Sequence, residues 1–443
     1  MFPQVLRLLS SPRWAAGCLC LLLGARLDYQ VRGADPQPAA AETLPAVLTR
    51  QDAVRWALRY NPELATIRQQ RGIAAAAVVI AETYPFNPAW EAKVEGNSGP
   101  ASAGITNAVS QEHRVAIDVE IRHQGRYRRQ GAYAGLSRTD WEIAFQEQAM
   151  AIRTIRAFNA VVYRQKKLEL LNETVSLAQR ILDVATRYWS GGLLPTADKL
   201  VAQSDVDDAR AQLGLGRTAL ITAHYDLRRA LGVVDQRVDF LGSLDVPVLD
   251  WNTEALMQAA LDQRADLRGR QAAVAEAQAR LELESANRFG NPNVGPIYAI
   301  DPSSVSSIGV AFIMPLPAIN RHRGEIQQRD AERTRAALDL RQIEVAVQQD
   351  VSLALRRLQA ARAWQQTYEK DVLPHLENSL EQMRKLFEGA KVDVMRVSTV
   401  RRSLIRARDG YLDALFEVTQ AQADLAAAVG DPALAVSPAA ARK

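Results

Sequence analysis

Cysteine is nearly absent from this chain: of 443 residues only Cys18 and Cys20 are cysteine, both inside the apolar run WAAGCLCLLLGA. Beyond that run no thiol remains, which excludes disulfides and thiolate metal sites there. Aromatics are scarce too, at 6% of residues, although apolar residues make up 48%. No sign of charge dominates: the net charge is +4 with 23% charged residues, a mixed surface. It lacks the basic footprint of a nucleic-acid-binding protein. Past the first 25 residues no run approaches the ~18 apolar residues of a membrane-spanning helix. Such a chain crosses a membrane, if at all, as a barrel. Proline, finally, is missing from two long stretches, Arg126 to Trp189 and Ala318 to Leu373.

What is present first is a leader. Residues 1–25 carry Arg7 and Arg13 ahead of the apolar run, the layout of a secretory signal, without a clear small-x-small cleavage site. AAGC superficially matches a lipoprotein box, but the apolar run follows Cys18 instead of preceding it. Residues 26–47, rich in proline and alanine, read as a flexible lead-in. The remainder is rich in Ala, Leu, Arg, Gln and Glu, the composition of long helices.

The rest of the chain says the same thing twice. Val206, Leu213, Leu220 and Leu227 recur every seven residues, each followed three positions later by Ala209, Gly216, Ala223 or Ala230. At an offset of 198 the pattern returns as Leu404, Tyr411, Val418 and Leu425, with Ala407, Ala414, Ala421 and Ala428. Gly191 lies over Gly389 at the same offset, 117–126 over 312–321 at 195, and Ala57-Leu58 over Ala260-Leu261 at 203. The first repeat spans 48–247 and the second 248–432, with 433–443 read as a disordered tail.

Each copy has one order. A helix (about 50–83; about 252–288) ends at an Asn-Pro element, YPFNP or RFGNPN, where proline forces its predecessor out of helix. A strand pair follows, at about 88–98 and 112–122, then at about 292–300 and 306–317. Next come a very long helix, a glycine turn, and a second long helix ending in glycine. The 64 proline-free residues from Arg126 to Trp189 give a rod of roughly 95 Å. Small residues alternating with Leu and Val each heptad let neighbouring helices approach closely, in coiled-coil fashion. The expected fold class is therefore mainly α with a small β part, a duplicated helix–strand–strand–helix chain with long helical hairpins.

EHRVAIDVEIR (112–122) alternates between an aliphatic face and Arg114, Asp118, Glu120 and Arg122. The same alternation suits a half-buried soluble strand or a barrel strand with lipid outside and water inside. Four strands cannot close a barrel, so they form a small soluble sheet or several chains pool them. Chemistry is sparse. His113, His123, His224, His322 and His375 show no metal-ligand spacing, and no nucleophile–base pair or phosphate loop stands out. No cofactor is expected, and the chain reads as non-enzymatic.

This layout resembles the TolC family of bacterial outer-membrane efflux factors over about residues 48–432. The likeness rests on the duplicated plan, ALRYNPEL (57–64), the Asn-Pro elements, and the Tyr188…Gly191 and Phe387…Gly389 turns. MPLPAINRHRGEI (314–326) and KVDVMRVSTVRRSLIRAR (391–408) resemble the heavy-metal branch, the outer components of cobalt–zinc–cadmium resistance-nodulation-division systems. The first repeat departs, with Glu120 where Pro315 stands. The resemblance implies a homotrimer with a twelve-stranded barrel in outer-membrane lipid and an α-barrel of hairpins in the periplasm. It implies a periplasmic membrane-fusion adaptor and an inner-membrane resistance-nodulation-division pump as partners. Gly191, Gly192, Leu194, Gly389, Lys391 and Val392 would then be adaptor-docking tips. Asp198, Asp393 and Arg396 would be aperture residues or restraining ion pairs. Pro315, Pro317 and Arg321 would mark the passage from strand to helix, and Pro374 would kink the second hairpin as a hinge. A secreted coiled-coil scaffold, and a multidrug or type I secretion duct, are the competing readings.

Overall fold

Thr49 starts the first helix by accepting a hydrogen bond from the Asp52 N–H at 3.3 Å, satisfying one of the free donors of the first turn. The structure, a computed structural model, describes residues 44–45, 47–98, 108–192, 195–234, 239–240, 242–244, 252–388 and 394–436. The leader lies outside the described residues.

The single helix expected at 50–83 is two helices, α1 (Arg50–Tyr60) and α2 (Pro62–Glu82), after the short strand β1 (Val47–Leu48). Asn61 between them is extended, with ψ at 122°. Its side chain caps α2 by accepting from the Glu63 and Leu64 N–H groups at 2.8 and 3.4 Å. Pro62 follows at the first helical position, where its missing N–H is harmless.

Two hairpin strands, β2 (Ala89–Asn97) and β3 (Ala108–Asp118), lead into α3 (Gln124–Ser190) and α4 (Thr196–Leu231). Strand β3 thus ends four residues before the expected 122. The second copy follows a short strand β4 (Asp239–Phe240), parallel to β1. It comprises α5 (Thr253–Gln263), α6 (Ala265–Asn287), β5 (Asn293–Ile300), β6 (Ser306–Ile313) and α7 (Arg323–Thr367). A π-helical turn (Tyr368–Val372) joins α7 to α8 (Leu373–Glu388), and α9 (Val394–Val429) and α10 (Ala433–Val436) complete the described chain.

Three further expectations need correction. Strand β6 stops at Ile313, so Pro315 and Pro317 lie beyond the last paired residue instead of ending the strand at 317. The break expected at Pro374 falls in the turn before it, which contains Lys370, four residues upstream of the proline. The helix is interrupted just upstream by the π turn, whose wider hydrogen bonding passes the chain on to a proline in the next first turn. Part of the tail is ordered too. Ala435 in α10 is buried, and the Leu434 carbonyl accepts from Gln422 Nε2 at 2.8 Å. Residues 437–443 lie outside the described set.

The heptad seam is the hairpin core. Val206 and Leu227 are fully buried, Ala209, Ala223 and Ala230 are buried with them, and in the copy so are Leu404, Ala414, Val418 and Leu425. Gly216 matters for close approach: a Cβ there would sit 2.6 Å from Leu171 Cδ1 on α3. Helix α9 packs on both α7 and α3, so the two repeats share a core. At 67 residues, α3 is roughly 100 Å long.

Strands β2, β3, β5 and β6 form one antiparallel sheet in that order, so the hairpins of the two repeats meet at β3 and β5. Paired residues share a face and neighbours along a strand alternate. The register therefore places Trp90, Val94, Val109, Val115, Ile117, Val294, Tyr298, Ile308, Val310 and Phe312 on one face, together with the polar Gln111, His113 and Ser306. The other face carries Glu91, Lys93, Glu95, Glu112, Arg114, Asp118 and Asn293, with Ile297 and Ile313 the large apolar residues among them and Ser307, Gly309 and Ala311 on β6. The apolar face is uncovered, with Trp90 64%, Phe312 63% and Ile308 85% exposed. Within the sheet, β2 and β6 each have one unpaired edge.

Candidate functional site

The passage from strand to helix is built twice on the same backbone device. His123 and His322 precede α3 and α7 in the left-handed region, with φ of 61° and 50°. Non-glycine residues adopt it uncommonly. In the first copy, Arg122 N–H donates to Gln124 Oε1 at 2.8 Å, and Gln124 Nε2 donates to Asn291 Oδ1 at 2.6 Å. Gln124 is 1% exposed, so this pair satisfies a buried amide and fastens the first junction to the second. The Arg122 guanidinium lies 3.7 Å over the Phe289 ring. Arg114 and Asp118 both bond to Asn293, and Glu120 is held by Arg128. Tyr84 ties α2 in, donating to the Asp118 carbonyl at 2.6 Å and accepting from the Glu120 N–H at 3.1 Å. In the second copy His322 Nδ1 lies 3.1 Å from Glu284 Oε1. Pro315 packs against Gly290, whose φ is 68°. Pro317 is half-buried and Arg321 is exposed.

Below the junction each repeat has a joint where three helices meet. Asn61 Nδ2 donates to the Ala230 carbonyl at 2.8 Å, stopping the C-terminus of α4. In the second copy Arg264 occupies the corresponding break between α5 and α6, and donates to the Ala428 carbonyl at 3.2 Å. Arg264 also forks onto Asp266 at 3.0 and 2.7 Å and reaches Asp350 on α7 at 3.1 Å. Burial opposes its charge, but the hydrogen bonds to Asp266 and Asp350 outweigh it and hold the guanidinium above its ordinary range. Gly232 and Gly430 close the two joints with φ of 74° and 83°. A Cβ on Gly232 would lie 2.6 Å from Pro62 Cδ.

A band of ion pairs binds α3 to α9 further along. Tyr163 donates to Asp413 Oδ1 at 2.5 Å, while Lys167 Nζ reaches Asp409 at 3.0 Å, Asp413 at 3.1 Å and the Tyr163 hydroxyl at 3.2 Å. Burial alone would lower the Lys167 pKa, but the hydrogen bonds to Asp409, Tyr163 and Asp413 raise it well above its ordinary value. Burial, then the bond to Asp413, raises Tyr163. Asp424 accepts from both Arg156 and Arg357, and Arg402 on α9 pairs with Asp205 on α4 at 2.9 Å. A cleft of about 290 Å³ between these helices is walled by Asp205, Asp208, Asp409, Arg402 and Arg406, whose charges largely answer one another. The sequence reading missed this band. Tyr163/Lys167 and Asp409/Asp413 are each four residues apart and so share a helix face, but spacing does not say which helix faces which.

At the hairpin end, Gly191 and Gly192 are exposed, and only Gly192 needs the left-handed region, with φ of 71°. Trp189 Nε1 donates to Thr196 Oγ1 at 3.2 Å, and Lys199 Nζ sits 3.8 Å over the same indole, clamping the turn. Asp198 is half-buried in the first turn of α4, where the helix dipole favours a carboxylate. Arg396 is exposed near the start of α9. Neither enters an ion pair among the described residues. Leu194, Gly389, Lys391, Val392 and Asp393 lie outside them. Near Pro374 the Tyr368 ring rests on Gly410, where a Cβ would meet the hydroxyl oxygen at 2.5 Å.

Among the described residues no group of three or more His, Cys, Asp or Glu side chains could hold a metal ion. No helix among them is long and apolar enough to cross a membrane.

Residues 256–431 match the family model "Outer membrane efflux protein". Over 273 residues, 61% of this chain, the sequence is 23% identical to the cobalt-zinc-cadmium resistance protein CzcC of Cupriavidus metallidurans. That match spans 65% of the relative, just under two thirds of its length. Among solved structures, CusC, described as forming a transmembrane channel, superposes with a TM-score of 0.70 at 15% identity, over 86% of this chain and 92% of that one. The open state of the Neisseria gonorrhoeae MtrE outer membrane channel gives 0.66 at 15% identity, over 90% and 94%. At these identities the structural likeness speaks for the fold, and the matched proteins are efflux components rather than enzymes. The second repeat therefore carries an outer membrane efflux protein domain, and the fold of the chain is that of the CusC and MtrE channels.

Proposed function

We propose that three copies of this chain assemble into an outer-membrane exit duct that passively conducts substrates delivered by an inner-membrane pump and a periplasmic adaptor. The observation that carries this reading is the sheet: one apolar face uncovered, one charged face, and an unpaired edge on β2 and on β6. Unpaired strand edges are not tolerated in hydrocarbon. Pairing the β6 edge of one copy with the β2 edge of the next removes all of them at twelve strands. The apolar face then meets lipid, while Glu91, Lys93, Glu112, Arg114 and Asp118 line water.

In this assembly the hairpins extend from the junction into the periplasm. The ends at Gly191, Gly192, Leu194, Gly389, Lys391 and Val392 meet the adaptor. Asp198, Asp393 and Arg396 line the aperture. Divalent heavy-metal cations are the proposed cargo, on the likeness to CzcC and to the heavy-metal branch. Cargo selectivity resides in the pump and adaptor, since the described residues build no metal site.

The test is disruption of the gene followed by survival on zinc, cobalt, cadmium and a drug panel, with fractionation of the protein. Metal sensitivity with the protein in the outer-membrane fraction is the expected result. Drug sensitivity alone overturns the cargo, and recovery of the intact protein in detergent-free periplasm overturns the duct.

A further inference from the structure

The strand–helix junctions carry charge that the duct mechanism does not use. Between Val119 and Gln130 there are four arginines and one glutamate, and AINRHRGEI (318–326) holds two arginines and one glutamate. The acids of the first junction are already engaged: Glu120 by Arg128, and Asp118 by Asn293. Glu284, behind the second, is engaged by His322. Arg126, Arg129, Arg321 and Arg323 are exposed, and none enters an ion pair among the described residues. Glu325, the exposed acid two residues after Arg323, balances only part of this charge.

Directly beside these arginines the apolar surface ends. Ile121 is 49% exposed, Leu316 81% and Ile319 99%. Both copies thus run from uncovered aliphatic side chains into uncompensated arginine within a few residues. Exposed large apolar side chains are costly in water, and arginine stems extend apolar surface while their heads seek anions. An apolar band bordered by arginine fits the boundary between acyl chains and negatively charged headgroups.

We propose that this double junction is a docking collar for anionic phospholipid headgroups in the leaflet nearest the helices. Leu316 and Ile319 seat at acyl-chain depth, and Arg126, Arg129, Arg321 and Arg323 bind the phosphates. The inference rests on the outer-membrane reading above and adds a lipid preference to it.

The test uses the full-length protein purified in neutral detergent, with its thermal unfolding midpoint followed as phosphatidylglycerol or phosphatidylcholine is titrated in. Phosphatidylglycerol is expected to raise the midpoint, and more so at low salt. Phosphatidylcholine is expected to leave it unchanged. The combined Arg126→Gln, Arg129→Gln, Arg321→Gln and Arg323→Gln variant should lose the response, on the order of fivefold in lipid affinity per arginine. The matching Lys variant should keep it, which separates loss of charge from loss of folding. Equal responses to the two lipids, or a response retained in the Gln variant, overturn the collar. A response reproduced by inorganic phosphate at equal concentration overturns a lipid source in favour of a free anion site. Protein found in the outer-membrane fraction without a phosphatidylglycerol preference defeats the collar alone, while protein found soluble in the periplasm defeats both readings.

Discussion

Replacing Arg264 with alanine should do more damage than its place on a helix break suggests. Its side chain is 10% exposed and that of Asp266 is 15% exposed, so the substitution strands a carboxylate in a poorly solvated joint. Breaking a buried pair from one side costs about 3–5 kcal/mol. The Ala428 carbonyl loses its donor, about 1 kcal/mol more. Asp350, 51% exposed, returns to water and adds little. Removing the stranded charge as well, in Arg264→Ala/Asp266→Ala, should recover roughly 1–3 kcal/mol through the coupling of the two sites. Arg264→Lys should fall between, because an ammonium cannot reproduce the fork. Unfolding of a membrane assembly is often irreversible, so the assay is native-state hydrogen exchange of the amides around 265–268 and 428–430. At about 1.4 kcal/mol per tenfold, local exchange should quicken a hundredfold or more in the single variant and partly recover in the double. Unchanged protection, or two effects that simply add, would refute the joint as the anchor of α5, α6 and α9.

Gly295→Ala should prevent the hairpins of the two repeats from pairing, because a Cβ there would lie 1.8 Å from the Val115 carbonyl oxygen. Gly309→Ala, 3.4 Å from Ile297 Cγ2, should be tolerated. Heat-modifiable migration of oligomers on gels separates the two, and equal behaviour would sink the register. The His224 pKa is lowered by burial and then by Arg228, so the unfolded chain binds the proton more tightly. Stability around α4 should be fully present above pH 6.5 and lost as pH falls through the lowered folded pKa. His224→Gln should flatten that dependence in thermal melts between pH 7 and 5. Gly410→Ala should push Tyr368 off the π turn, and Tyr368→Ala should rescue it. Exchange rates at 368–374 report both, and no change in either variant would show that the contact is incidental.

The duplication, the long hairpins and the seam were legible because they repeat: Val206 and Leu404, or Gly232 and Gly430, carry the same constraint in the same place. The joints were not. Asn61 and Arg264 break their helices at the aligned position, yet one is a neutral cap and the other a fully engaged cation, so composition disguises the equivalence. The single helix expected over 50–83 misses the break at Asn61, which is the N-cap of Pro62–Glu82. His123 and His322 immediately precede the long helices α3 and α7. Their positive φ was invisible, since nothing in a histidine announces a left-handed backbone. The ion-pair band needs the relative rotation of α3 and α9, which pairwise spacing along each helix does not contain.

The differences between the copies fall into a physical pattern. In the first copy a neutral amide holds the root at Asn61 and α3 runs unbroken for 67 residues. In the second, Arg264 fastens the root to three partners, while the distal helix passes through a π turn, Pro374 and the Tyr368–Gly410 contact. Sharp kinks in helices occur at prolines and π turns. The charged anchor at Arg264 and the π turn thus occur in the same copy, whereas α3 of the first copy has no such interruption. Duplication supplied the common frame, and divergence at a few positions placed a helix interruption in only one of two hairpins that share one core through α9.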